Sequence, residues 1–302
     1  MPAEKLNKLR ALLRSYGSCL VAYSGGVDSV FLAHVAHDVL GNRALAVIAD
    51  SPSLPRRELE EALEVAERFH IPVRVVRTRE FENSNYLANP NNRCYFCKHE
   101  LFSELAPLAR AENFCTIVYG ENASDTGDFR PGAQAAAEYK VCAPLKEAGL
   151  TKAEIRELSA QLGLPTADKP QMACLSSRIP YGEAVTEGKL KMIEEAENLL
   201  RDLGFYDVRV RHHELSFKFQ VSSVQPEMLK IEDVKLETQQ CLARIEVGPD
   251  ELTKFLADGI AGRVAAALKE IGYVHVTLDL QGYRRGSANE RLAPAAAGIG
   301  NP

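Results

Sequence analysis

The run Ser24-Gly25-Gly26-Val27-Asp28-Ser29 constrains this chain more than any other feature. It follows the apolar stretch Cys19-Leu20-Val21-Ala22-Tyr23 and precedes Val30-Phe31-Leu32-Ala33-His34-Val35. Apolar and β-branched residues enter, two glycines permit a tight turn, and apolar spacing near 3.6 follows, which reads as strand, turn, helix. Glycines let a backbone approach an anion, and a new helix offers unpaired N–H groups and a partial positive charge. The expected ligand is a phosphate or pyrophosphate. Ordinary strand-to-helix turns also use Ser, Gly and Asp for geometry, but composition alone rarely yields five specified positions in this order. No Gly-Lys-Ser/Thr follows the glycines, so this is not a Walker loop, and the spacing is not G-x-G-x-x-G.

The rest of the first half repeats the strand–helix alternation. Leu20–Tyr23, Ala44–Ala49, Val73–Val76 and Thr116–Tyr119 read as short apolar strands, and Val30–Leu40, Arg57–Phe69 and Tyr95–Asn113 as helices. Such alternation predicts an α/β fold, a parallel sheet with helices on both faces, whose ligands collect beyond the carboxyl ends of the strands. Asp50-Ser51, Gly120-Glu121-Asn122 and the glycine turn would share that edge. Thr151-Lys152-Ala153-Glu154 is a capping box opening a further helix that ends near Gly163. Pro165, Pro170 and Pro180 then enforce a loop from Leu164 to Gly182.

A smaller α+β domain is expected after Thr186. A helix to Leu203 precedes strands at Tyr206–Arg211, Leu242–Val247 and Val274–Leu280, each alternating apolar with polar residues as in a sheet with one buried face. A helix over Glu251–Lys269 should cover that face. On the polar face Arg209 and Arg211 would suit a phosphate or carboxylate; solvated surface charge explains them equally well. The chain thus divides into residues 1–165, a loop and linker over 166–185, a domain over 186–290, and an Ala/Gly/Pro tail over 291–302. With 302 residues, 46% hydrophobic content and net charge −5, a soluble two-domain protein is expected, and the acidic balance argues against nucleic acid. Neither a membrane span nor a secretory signal is visible, and seven cysteines fit a reducing cytoplasm.

Cys94-Tyr95-Phe96-Cys97 places two thiols at a helix start, where the helix field favours thiolate. A lone C-x-x-C is ambiguous between redox, zinc and iron–sulfur chemistry. Cys174 differs: it lies in the proline-broken loop with Ser176, Ser177 and Arg178, where a thiol can be exposed and partly ionised. Cys19, Cys115, Cys142 and Cys241 sit in apolar patterns and read as packing residues.

The glycine turn resembles the pyrophosphate loop of the N-type ATP pyrophosphatases, which include NAD synthetase, GMP synthetase and tRNA thiolases. Across nearly the whole chain the motifs resemble the LarE family, ATP-dependent sulfur transferases that build the nickel-pincer nucleotide of lactate racemase. The motifs are Tyr23 to Ser29, Asn92 to Lys98, Gly120 to Asp125 with Asp128 to Gly132, Cys174 to Gly182, Val208 to His212, Ala243 to Val247, and Thr277 to Asn289. The resemblance implies an adenine nucleotide α-hydrolase-like first domain. ATP would adenylate a carboxylate of a pyridinium dicarboxylate mononucleotide and release pyrophosphate, and sulfur would then form a thiocarboxylate. Ser24, Gly25, Gly26, Asp28, Ser29, Ser51 and Gly120 would bind ATP, with Mg²⁺ on Asp28. Arg178, Arg209, Arg211, Glu246, Arg284, Glu121, Asp125 and Arg130 would contact substrate. Sulfur would come from Cys174 itself, leaving dehydroalanine, or from a [4Fe-4S] cluster on Cys94, Cys97 and Cys174, the favoured form. The family also implies a homo-oligomer and a small-molecule nucleotide as partner. The family pattern runs from Val-Arg-Val-Arg-His almost directly into Leu-Ala-Arg-Ile-Glu, whereas His213 to Cys241 intervenes here, as a surface excursion or a shift in strand register. Rival readings are a tRNA thiolase, an amide-forming synthetase, and an ATP-binding regulator without turnover.

Overall fold

The computed structural model describes residues 1–125, 131–171, 173–220, 235–257 and 259–284. The chain forms two compact units, Met1–Cys174 and Leu175–Pro302. The first runs α1 (Pro2–Tyr16), β1 (Cys19–Ala22), α2 (Val27–Leu40), β2 (Ala44–Asp50), α3 (Arg56–Arg68), β3 (Val73–Arg77), α4 (Ser84–Leu87), α5 (Arg93–Ala111), β4 (Thr116–Tyr119), α6 (Pro131–Glu138), α7 (Pro144–Glu147) and α8 (Lys152–Gln161). Its four strands are parallel in the order β3-β2-β1-β4. The chain steps outward from β1 to β3 and then returns to lay β4 on the other flank of β1. That reversal puts the topological switch point at β1, whose carboxyl end carries the glycine turn.

Both faces of this sheet are covered. Cys19, Val21 and Tyr23 enter one apolar cluster with Leu9, Leu13 and Phe31, while Leu20 and Ala22 enter another with Phe102 and Leu105. Burial on both sides explains why β1 reads as a continuous apolar run and not an alternating one.

The second unit contains α9 (Glu187–Asp202), β5 (Val208–Gln220), β6 (Lys235–Val247), α10 (Ile260–Ile271) and β7 (His275–Leu278). β5 and β6 are antiparallel, and β7 adds parallel to β6. Val208, Val210, Ala243, Ile245 and Val247 pack with Ala196 and Leu200 of α9 and Val264 and Leu268 of α10. The alternation therefore located the buried face, but three details differ. The single helix expected over Glu251–Lys269 is a 3₁₀ turn at Pro249–Leu256 followed by α10. Gly259, at φ 73°, takes a left-handed conformation that a continuous helix does not allow. Val274 and Leu280, expected on the apolar face, are exposed, because β7 is shorter than the run that suggested it. The described parts of the intervening segment, His213–Gln220 and Lys235–Cys241, extend β5 and β6, which pair residue by residue from Val208↔Val247 to Gln220↔Lys235. Val221, Pro226, Arg130 and the 291–302 tail lie outside the described residues. Among the described residues no helix is long and apolar enough to cross a membrane.

Candidate functional site

The glycine turn is held by its own serines. Ser24 N–H donates to Ser29 Oγ at 3.1 Å, Ser29 Oγ donates to the Gly26 carbonyl at 3.0 Å, and the Ser24 hydroxyl lies 3.1 Å from Ser29 Oγ. α2 starts at Val27 with Gly26 as N-cap, and no side chain caps it. Gly25 has φ 71°, and a Cβ there would lie 2.6 Å from the Ala62 Cβ of α3. A side chain at this position would be strained by the backbone conformation and blocked by Ala62. Gly120, at the end of β4, comes so near α2 that a Cβ would meet the Asp28 Cβ and the Ser29 nitrogen at 3.1 Å. The two sides of the switch point therefore meet backbone to backbone over an anion-attracting helix terminus.

Asp28 Oδ2 accepts from Lys152 Nζ at 2.7 Å. Lys152 was not singled out from the sequence, although its place in the capping box was. That box, with Thr151 bonded to the Glu154 N–H and Glu154 to the Thr151 N–H, fixes the first turn of α8 and aims the lysine. Ser51 is buried beyond β2, its hydroxyl 2.9 Å from that of Ser53, which donates to Glu80 Oε1 at 3.3 Å. Glu80 is 2% exposed, and its Oε2 has no hydrogen-bond partner among the described residues. Glu121 accepts from Lys146 at 2.7 Å and bonds the Tyr119 hydroxyl, while Asp125 Oδ2 accepts the Asn122 N–H at 3.1 Å. Both carboxylates are buried at the edge where the sequence put them.

Among the thiols of this unit, Cys94 and Cys97 both feel the charge of Cys174. Burial pushes the Cys97 thiol up, and the Cys174 thiol and the Glu80 carboxylate add to the shift. Cys94 keeps exposed surface, yet the protein crowded around its sulfur pushes the thiol up, aided by Cys174 and opposed by Arg93 and Lys98. The thiolate-favouring field expected of a helix start is thus outweighed by desolvation. Arg93 is itself buried and bonds Asn89. Cys174 lies within electrostatic reach of both members of the C-x-x-C pair, although no three His, Cys, Asp or Glu side chains among the described residues form a ready-made ion site. Cys19 is buried as expected, Cys142 and Cys241 are half-buried, and Cys115 is exposed at the entrance to β4.

The second unit holds a buried charge cluster. Arg178 Nε and Nη2 donate to the two Glu197 oxygens at 2.8 and 3.0 Å, and Glu197 Oε1 also accepts the Val210 N–H at 2.9 Å. Arg211 donates to Glu246 at 3.0 Å and to the Ser177 carbonyl at 2.8 Å. Arg209 meets Asp207 at 3.3 Å, and its guanidinium stands 4.7 Å from the Tyr283 ring centre. Burial and the nearby Arg178 charge lower its proton affinity. Arg244 bridges Glu246 at 3.2 Å and Asp279 at 2.7 Å, and Arg284 is half-buried. Arg209 and Arg211 are buried beside carboxylates, neither solvated surface charge nor an open anion clamp. Glu197, which closes the cluster from α9, carried no signal in the sequence beyond its place in an amphipathic helix.

The family profile described as NAD synthase matches residues 4–92, which span β1 to β3 and the glycine turn. Its presence agrees with an adenine nucleotide α-hydrolase-like α/β sheet in the first unit. An uncharacterized protein of Synechocystis sp. is 43% identical over 97% of this chain and 99% of its own length. The pyridinium-3,5-bisthiocarboxylic acid mononucleotide synthase of Lactiplantibacillus plantarum is 31% identical over 97% of this chain and 96% of its own. An uncharacterized protein of Methanocaldococcus jannaschii is 26% identical over 78% and 89% respectively.

Proposed function

Since the chain belongs to the family of pyridinium-3,5-bisthiocarboxylic acid mononucleotide synthases, the LarE family, we propose that it converts a carboxylate of a pyridinium dicarboxylate mononucleotide into a thiocarboxylate at the expense of ATP. Gly25, Gly26, Ser29 and the first turn of α2 bind the departing pyrophosphate, with Ser24 beside them and Ser51 and Gly120 along the nucleotide. Asp28 would hold Mg²⁺, which offsets charge on the pyrophosphate; Lys152, its present partner, would then be released toward the phosphates. A substrate carboxylate oxygen attacks the α-phosphorus, pyrophosphate leaves, and the acyl-adenylate is the electrophile for sulfur.

Arg209, Arg211, Glu246 and Arg284 are assigned to the substrate's phosphate and carboxylates; Glu121, Asp125 and Arg130 keep the substrate role that the family resemblance implies. Their present ion pairs supply the counter-charges that a bound dianion would exchange for. Arg178, taken up by Glu197, positions the loop that follows Cys174.

The observation that carries the sulfur-transfer reading is that Cys174 shares one electrostatic neighbourhood with Cys94 and Cys97, although Cys94 and Cys174 are far apart in sequence. Three thiols form the soft donor set of an iron–sulfur site. We assign Cys94, Cys97 and Cys174 as ligands of a [4Fe-4S] cluster, which when bound would supply transferable sulfide on an iron that no protein thiolate holds. The side-chain alternative is direct attack by the Cys174 thiolate, expelling AMP; loss of its α-proton then breaks Cβ–Sγ and leaves dehydroalanine and the thiocarboxylate.

Anaerobic purification separates the two. The cluster form should be brown, should turn over repeatedly with added sulfide, and should bleach on any one Cys→Ala change among the three. A colourless protein whose mass falls by hydrogen sulfide at position 174 after one turnover would replace it with the sacrificial form. Absence of substrate-dependent pyrophosphate release would remove the whole assignment, leaving a nucleotide-binding regulator.

A further inference from the structure

Tyr283 lies just past β7, within the Thr277–Asn289 motif, and the proposed reaction gives it no task. The chain fixes it firmly. Asp279 N–H donates to the Ile245 carbonyl at 2.8 Å, Gly282 N–H to the Asp279 carbonyl at 3.0 Å, and Tyr283 N–H to the Val247 carbonyl at 2.7 Å. The Asp279 carboxylate takes the Gln281 N–H at 3.0 Å through Oδ1 and Arg244 at 2.7 Å through Oδ2. A Cβ on Gly282 would come within 2.8 Å of the Val247 carbonyl oxygen, so the turn lies tight against β6. The next strand over is β5, where Arg209 pairs in register with Glu246 of β6. The Arg209 guanidinium stands 4.7 Å from the Tyr283 ring centre, so the two side chains meet across β6.

The buried arginines of this unit are held in two different ways. Arg178 donates to both Glu197 oxygens at 2.8 and 3.0 Å, and Arg211 donates to Glu246 at 3.0 Å. Arg209 is 5% exposed, meets Asp207 at the longer distance of 3.3 Å, donates to the Val208 carbonyl at 2.7 Å, and lies over an aromatic face. The two holds have different consequences for an incoming anion. A carboxylate neutralises a guanidinium and competes with the anion for its N–H groups. A ring face attracts the cation through its quadrupole, carries no net charge, and fixes the plane in which the guanidinium fork donates.

We propose that Tyr283 is a positioning residue for the substrate's phosphate, its ring holding Arg209 in the plane from which the guanidinium donates to two phosphate oxygens. The inference rests on the substrate reading given above, a pyridinium dicarboxylate mononucleotide, and assigns Arg209 to the phosphate and not to the carboxylates. The Arg178 charge lies near enough to work against the proton affinity of Arg209, and two neighbouring cations suit a doubly charged phosphate better than a singly charged carboxylate. Tyr283 acts through Arg209.

Calorimetric titration of the full chain tests this, with the mononucleotide and the nucleoside lacking its phosphate as the two probes. Tyr283→Leu should weaken mononucleotide binding about 10-fold. It should leave nucleoside and ATP binding unchanged, and raise KM for pyrophosphate release with little change in kcat. Tyr283→Phe keeps the ring face and should restore binding to within about 2-fold of the wild type. Fluorinated phenylalanines placed at position 283 keep the shape of the ring while withdrawing charge from its face, so mononucleotide affinity should fall with each added fluorine. That series decides the matter if Tyr283→Leu fails to fold. Unchanged mononucleotide affinity in Tyr283→Leu, an equal loss for the nucleoside, no trend across the fluorinated series, or a wild type that binds both probes alike would overturn the inference. A wild type that prefers the mononucleotide and shows the fluorine trend, yet releases no pyrophosphate, would remove the proposed activity and leave Tyr283 in its role.

Discussion

Removing Glu197 gives the clearest quantitative test of the second unit. Its carboxylate is fully buried, answers Arg178 with both oxygens, and accepts the Val210 N–H at Oε1 as well. Glu197→Ala would deprive the Arg178 guanidinium, 2% exposed, of the carboxylate that holds it at Nε and Nη2. Breaking a buried pair from one side costs about 3–5 kcal/mol. A stranded backbone N–H adds about 1–3 kcal/mol. The two losses overlap at one site, so roughly 4–6 kcal/mol in total is expected. Glu197→Gln keeps an acceptor for Val210 and should cost about half as much. Replacing both charges, as in Arg178→Met with Glu197→Leu, should recover most of the loss, because only the N–H remains stranded. Urea unfolding followed by circular dichroism reads the free energies, and amide exchange at Val210 reads the local bond. The pH dependence has a definite sign. Burial works to raise the Glu197 carboxyl, but the Arg178 guanidinium overrides it and holds the group below its ordinary value. Its stabilisation is therefore present at neutral pH and lost as acid protonates it. A cost below about 1 kcal/mol for Glu197→Ala, with Val210 still protected, would refute the reasoning.

His212 is fully buried, 3.3 Å from the Tyr273 hydroxyl through Nδ1, and burial lowers it to about 4. Its neutral form stabilises the fold above the unfolded value near 6.5, so roughly 3 kcal/mol should be lost between pH 6.5 and 4, and His212→Gln should flatten that limb of a melting-temperature profile. Gly25→Ala must hold an unfavourable φ and press on Ala62, so it should cost about 1–2 kcal/mol for the backbone alone and weaken ATP binding by calorimetry; adding Ala62→Gly should restore part of both. Asp28→Asn should abolish pyrophosphate release while costing less than about 1 kcal/mol, because its pair with Lys152 is partly solvated; full turnover would show that Asp28 does not serve the metal.

The parallel sheet and the glycine turn were legible because their signals are local: apolar runs of strand length, glycines at the turn, a capping box before α8. The charged residues of the second sheet were legible as a group, but their burial was not. Alternation identifies which residues share a face and says nothing about what covers it, so Arg209 and Arg211 looked open although Arg209 meets Asp207 and Arg211 meets Glu246 of β6. The break at Gly259 interrupts an otherwise good helical pattern, and periodicity passed over it because one glycine costs an amphipathic helix little. The meeting of Cys174 with Cys94 and Cys97 depends on how a proline-broken loop returns to α5, and no spacing rule encodes that.

α2, like α10 behind Gly259, begins without a side-chain cap. α8 and α9 begin with threonine caps, Thr151 and Thr186, that bond their own first turns. α2 has glycine in that position and no side-chain bond. A phosphate settling against its first turn would take the place of the missing cap, so the ligand would complete a secondary-structure element as well as occupy a site. Affinity for the anion and cohesion of the first unit then share one source, and tighter binding should appear as slower amide exchange along Val27–Phe31.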